Sequence, residues 1–233
     1  MSPWARLPIT TWHEWDWAGA GREFKRAIEI NPSFPDARAY YAHFLMHMRR
    51  PKEALAQMAQ ALELDPFNAL FQGLYARELT NFGQYNEAIA QARNVLRVVP
   101  GHPTASGTLT DALWYRGMKH EAVVEWKAQR NLRGEQQGTE AFDRGYRAGG
   151  YPEGWKRYAE YRAVGFRESH TGAMAIVQAY VKAGEYPLAL EWLERGFEVR
   201  DPNLPYAFIG PGFEAIRSDP RFQSLRRRMN LPQ

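Results

Sequence analysis

Four alanines, Ala20, Ala54, Ala88 and Ala122, stand 34 residues apart, and Pro32, Pro66 and Pro100 keep the same step. That period is the length of a helix–turn–helix unit, which cannot bury its apolar face alone and must stack on a neighbour. A small side chain belongs where two helices cross closely, and a proline suits the break after the second helix. The expected fold is therefore all-α, a solenoid of antiparallel helix pairs, and its kind of work is binding along a groove.

The stretch Pro35 to Asn68 serves as the reference unit. Its first helix is expected from about Pro35 to Met48 and its second from about Pro51 to Leu64, with Ala42 and Ala54 at the crossing. Tyr41, Leu45, Leu55, Met58, Leu62 and Leu64 supply an apolar stripe at helical spacing. Residues 69–102 and 103–130 repeat the plan. Gly83 falls where the chain turns between helices, and glycine accepts the positive φ such turns require. After Gln129 the period slips, and the polar segment Asn131 to Gly138 reads as a longer loop. The signature Gly83-Gln-Tyr85 returns as Gly149-Gly-Tyr151 and Gly184-Glu-Tyr186, each followed three residues on by Ala88, Gly154 or Ala189. A degenerate repeat is thus expected over 131–168 and a last one over 169–200. Residues 201–233 form a short helical cap over the open end, with helices near Pro211 to Arg217 and Pro220 to Met229. The whole of 1–233 reads as one solenoid.

At the other end, residues 1–34 make an incomplete first repeat. Pro8 falls inside the position of its first helix, where proline costs about 3 kcal/mol. The chain is expected to begin inside a repeat, as a fragment or a shortened relative of a longer protein. The apolar side of the Trp17–Ile30 helix is then covered either by a fold-back of Pro3 to Trp12 or by a second copy as an isologous dimer contact, and the reading favours self-association.

Composition narrows the chemistry. The chain has no cysteine, which removes disulfides and thiolate zinc sites. The formal charge is only +4, and Arg226-Arg227-Arg228 reads as a solvated helix face rather than a nucleic-acid footprint. Apolar runs fall short of the roughly 18 residues of a membrane span. The start lacks the apolar core of a signal peptide. A cytoplasmic protein with no cofactor, membrane or nucleic-acid partner is expected.

The alanine, glycine, tyrosine and proline positions resemble those of tetratricopeptide-repeat (TPR) proteins, so the expected fold is a TPR-like α–α superhelix with a C-terminal cap. More narrowly, Trp15-Asp-Trp-Ala-Gly-Ala20, Phe24 to Pro32 and the ending Arg200 to Pro205 and Arg217 to Pro232 resemble the C-terminal repeat region of bacterial signalling proteins. There the repeats follow a winged-helix, nucleotide-cyclase or protein kinase domain. The resemblance implies a protein-interaction or sensing module. One TPR subtype clamps a peptide carboxylate with lysines and asparagines, but the corresponding positions here hold Ala39, His43, Leu74, Thr104 and Thr108, so that clamp is missing.

In TPR-type packing the first helices line the concave face, which would place Tyr40, His43, His47, Arg77, Asp111, Trp114 and Tyr115 along one partner-binding groove. Aromatics with an arginine and a carboxylate are side chains that dominate interface energies. Trp114 and Tyr115 could instead fill the gap beneath the next unit. His43 and His47 have the four-residue spacing that lets two imidazoles meet one metal, but no acid stands between them, and they read as groove histidines without metal. The leading expectation is a non-catalytic scaffold that binds a peptide or partner protein. One alternative is a small-molecule-sensing module; another is an enzyme with an acid–base pair drawn from His43, His47 and Asp111. No Gly-x-Ser-x-Gly elbow and no phosphate-binding glycine loop occurs.

Overall fold

The computed structural model describes residues 15–169 and 172–232. Pro3 to Trp12, on which the fold-back and dimer expectations turn, and His170 lie outside them. Every regular element among the described residues is helical: α1 Trp17–Ile30, α2 Pro35–His47, α3 Pro51–Leu64, α4 Ala69–Asn81, α5 Tyr85–Val98, α6 Pro103–Tyr115, α7 Lys119–Leu132, α8 Gln136–Ser169, α9 Ala173–Ala183, α10 Tyr186–Glu198 and α11 Pro220–Arg228. Two short 3-10 helices, Leu204–Phe208 and Glu214–Ile216, precede α11. The helices form two compact units, one running up to Trp126 with Asn230–Pro232, the other Lys127–Met229.

Six of the turns follow one rule. A left-handed residue ends a helix, and the next N–H reaches back five residues to a carbonyl, the hydrogen bond of a Schellman cap. Arg50 donates to Leu45, Gln84 to Leu79, Met118 to Leu113, Glu135 to Arg130, Glu185 to Tyr180 and Asp201 to Gly196, all at 2.9–3.0 Å. The residue just before each donor has positive φ: Arg49, Gly83, Gly117, Gly134, Gly184 and Arg200. Arg49, Gly83 and Gly117 share the 34-residue step, so the same turn is built once with arginine and twice with glycine. Several helix starts carry their own caps. Asp16 accepts from Gly19 N–H, Asn68 from Leu70 and Phe71, and Asp219 from Arg221.

In the first unit the helices of a pair pack on each other, and successive first helices α2, α4 and α6 pack side by side. Ala54, Ala88 and Ala122 are fully buried and Ala20 nearly so. The core between α2, α3 and α4 is built from Ala39, Ala42, Met58, Ala61, Phe71 and Leu74. Small side chains from one helix admit large ones from the next, which brings the axes close and buries several Cβ atoms at once.

The second unit departs from the sequence reading at the expected loop, while its turn falls where the Gly149-Gly-Tyr151 signature puts it. The expected loop Asn131 to Gly138 shrinks to a tight turn: α7 runs to Leu132, Gly134 takes φ +72°, and α8 begins at Gln136. The Arg130 guanidinium donates to Glu135 Oε2 at 2.6 Å, so the polar residues that suggest a loop bind each other across a cap. Helix α8 breaks at Gly149 and Gly150, the latter at φ +70°. Its two arms pack through Gly145, where an added Cβ would strike the Glu153 carbonyl, and Gly154, where it would lie 2.9 Å from the Phe142 ring. Phe142 then meets Trp155 edge-on at 5.0 Å.

The cap also differs from expectation. Pro211 starts no helix; the stretch carries only the 3-10 turn Glu214–Ile216 before α11. The arginine run is not a uniformly solvated face. Arg226 is buried, while Arg228 donates to Glu194 at 2.8 Å and lies 3.9 Å from the Phe197 ring centroid, pinning α11 to α10. Helical geometry separates adjacent residues by about 100°, so three like charges in a row need not share an environment. Asp201 is buried and accepts from Met174 N–H at 3.0 Å, tying the cap to the start of α9.

Candidate functional site

The candidate residues lie in columns across consecutive first helices. His43, Arg77 and Asp111 share one repeat step on α2, α4 and α6; His47, Asn81 and Tyr115 share another. Because these helices pack side by side, the columns run across the first unit. Residues three or four apart on a helix share a face, so His43 with His47, and Asp111 with Tyr115, project together.

Burial divides the seven candidates. Tyr40, Arg77, Asp111 and Tyr115 are half-buried, each keeping part of its surface open. His43, His47 and Trp114 are buried, with 6%, 1% and 7% of their surface exposed. These three are therefore packed side chains rather than open lining. His47 stacks on Trp17 of α1 at 5.9 Å and meets His43 edge-to-face at 5.1 Å. Lys119 Nζ sits 5.2 Å from the Trp114 ring centroid.

The electrostatics follow from that packing. Burial, reinforced by the Arg77 guanidinium, holds both imidazoles uncharged: His47 is lowered to about 3, and His43, which also feels His47, lies well below the usual histidine range. Burial likewise raises the Tyr40 phenol, with the Asp36 carboxylate adding to the effect. Among the described residues no group of three or more His, Asp or Glu side chains is arranged to hold a metal ion.

Two features of this face escape the sequence reading. Glu78, beside Arg77 on α4, is 1% exposed, and its burial pushes the carboxyl well above the usual range against a partial offset from Arg77. A signal existed: Glu78 holds the repeat step occupied by Phe44 and Ala112, an acid in an otherwise apolar column. The second is Gly107, inside α6 and exposed, where an added Cβ would meet nothing within 4 Å. A mid-helix glycine costs about 1 kcal/mol relative to alanine, and no packing at this position requires it. Gly107 precedes Asp111 by four residues and so shares its face.

Residues 13–78 match a tetratricopeptide-repeat family model. The match covers α1 to most of α4, and with it Tyr40, His43, His47 and Arg77. Among solved structures, the chain is similar to one titled "Crystal structure of MamA", at 14% identity and a TM-score of 0.47, over 82% of this chain and 96% of that one. No curated protein matches. No helix among the described residues is long and apolar enough to cross a membrane.

Proposed function

We propose that the first unit is a non-catalytic interaction module that takes a peptide or a segment of a partner protein against the exposed side of α2, α4 and α6. The observation that carries this reading is the set Tyr40, Arg77, Asp111 and Tyr115, half-exposed on three consecutive parallel-packed helices. Tyr40 and Tyr115 on the outer helices give an extended segment apolar contact, and Arg77 and Asp111 give it opposite-sign anchors. Gly107 leaves room for a ligand backbone to approach α6. The tetratricopeptide match over 13–78 supports the same class of work. The neutral, buried state of His43 and His47 makes them poor proton shuttles near neutral pH, which weighs against an acid–base enzyme. The segments around Trp15 to Pro32 support the narrower idea that this module serves a larger regulatory protein.

A peptide array probed with the wild-type protein and with Arg77→Ala, Asp111→Ala and Gly107→Leu tests the reading. Arg77→Ala should lose acidic peptides, Asp111→Ala basic ones, and Gly107→Leu both, while leucine's better helix propensity keeps the fold intact. Identical arrays for all four proteins would place the binding face elsewhere.

A further inference from the structure

In the first unit, α1, α3 and α5 each end in a short turn that leads into the next first helix, α2, α4 or α6. Short turns make neighbouring helices antiparallel, and the first helices pack side by side, so the three turns lie along one edge of the unit. With about 8–10 Å between packed helices, that edge spans roughly 20 Å. One repeat position is apolar and exposed at all three turns: Ile30, Leu64 and Val98. Val99 adds to the last turn, and Phe67, 92% exposed, stands on the middle one. Single exposed apolar side chains need no explanation, but a row of them on consecutive turns marks an interaction surface.

Phe67 is the anchor of the row. The Pro66 carbonyl accepts from Gln72 Nε2 at 2.5 Å, Asn68 Nδ2 donates to Asp65 at 3.0 Å, and the Asn68 side chain caps α4. The turn is therefore held on both sides of the ring, and little chain entropy remains to be lost when the ring is covered. The aligned residues are Ser33 and Gly101, so the turn itself does not require an aromatic. Large aromatic side chains are what interface hot spots are built from.

The charges along the edge indicate what covers it. One position before the apolar row stand Glu29 at one end and Arg97 at the other, both exposed. Glu29 lies 3.4 Å from Arg26 on its own helix, and Arg97 donates to Asn94 at 3.5 Å, weak contacts that an outside partner can replace. An isologous contact requires a surface complementary to itself. A second copy turned by 180° about the middle turn meets that requirement. Phe67 then meets Phe67 of the second copy, Ile30 meets its Val98 and Val99, and Glu29 meets its Arg97, with the same contacts repeated at the other end.

We propose that this edge pairs two copies of the chain about a two-fold axis through the Phe67 turn. The opposite charges at the ends fix the antiparallel orientation, since a parallel pairing would set Glu29 against Glu29 and Arg97 against Arg97. Glu63 holds the same repeat position on the middle helix and meets its own copy near the axis, a like-charge contact that loosens the pair. Five apolar side chains are few beside the roughly 20–30 residues a side of a standard interface, so the dimer is weak, with a Kd on the order of tens of micromolar.

Sedimentation velocity on the 233-residue chain, from about 5 to 500 micromolar, reads this directly. The wild type should pass from monomer to dimer across that range. Phe67→Ser, which installs the residue of the aligned turn, should weaken pairing by at least about tenfold and leave the thermal melt unchanged. Glu29→Arg and Arg97→Glu should each weaken it by about three- to tenfold, and the double variant should restore it. Glu63→Gln should tighten it. A wild type that stays monomeric throughout would leave the row to a different molecule and overturn the pairing. Dimers that survive Phe67→Ser would place the contact on another surface, and a double charge swap without rescue, or weakening by Glu63→Gln, would overturn the two-fold arrangement.

Discussion

Arg49 and Gly83 occupy the same turn one repeat apart, and that pair isolates the energetic cost of left-handed backbone. Both end a first helix, both are followed by a five-residue reach-back bond, and their φ values are +56° and +76°. For a side chain bearing a Cβ, left-handed backbone costs roughly 1–2 kcal/mol. Glycine escapes that strain but loses more chain entropy on folding, a countervailing term of about 0.5–1 kcal/mol. Arg49 is exposed, so its side chain contributes little packing. Arg49→Gly should therefore stabilise by about 0.5–1 kcal/mol, or roughly 1–4 °C in midpoint for a chain of this size. Gly83→Ala is the mirror experiment. An added Cβ there meets nothing within 4 Å, so the loss of about 1 kcal/mol would come from backbone strain alone. Calorimetry and urea titration of the two variants beside wild type should give opposite signs. If Arg49→Gly destabilises while Gly83→Ala is neutral, left-handed strain does not govern these turns and the reasoning fails.

Three further outcomes are expected. Ala88 is fully buried at a helix crossing, so Ala88→Leu should overpack and cost about 1–3 kcal/mol, while leucine at exposed Ala90 should change the urea midpoint little; equal shifts would refute the assigned register. Asp201→Ala removes the buried acceptor of Met174 N–H, and thermal melts should register a loss of about 1–3 kcal/mol, with a wild-type-like melt showing that the cap is held by other contacts. Arg228→Ala should release α11 only slightly, by under about 1 kcal/mol, because the Glu194 pair it breaks is partly exposed; a loss several times larger would mean the Phe197 contact carries the cap.

Much of the helical plan is readable without coordinates because its determinants are local. A left-handed glycine, a proline in a first turn and a buried small side chain each act within one helix pair, and the 34-residue step repeats them. Ala54, Ala88, Gly83 and Gly117 could be placed by spacing alone. Arg49 could not, because an arginine on the same 34-residue step carries no chemical sign that it takes the left-handed conformation of the two glycines. The same limit explains the turn at 133–135: glycine and polar residues look like loop, but the Arg130–Glu135 pair closes them into a helix cap. Burial was the larger omission. Sequence puts His43, His47 and Trp114 on the same face as Arg77 and Asp111, whereas neighbouring helices decide which side chains are sealed. Trp17 reaches across from α1 to cover His47, and Lys119 covers Trp114. Charge then follows burial, so imidazoles held uncharged and a Glu78 carboxyl raised above its usual range are properties of the assembled helices rather than of the residues. Periodic local chemistry determines which helices form and where they turn, while the dielectric around each side chain exists only once several helices have closed upon it.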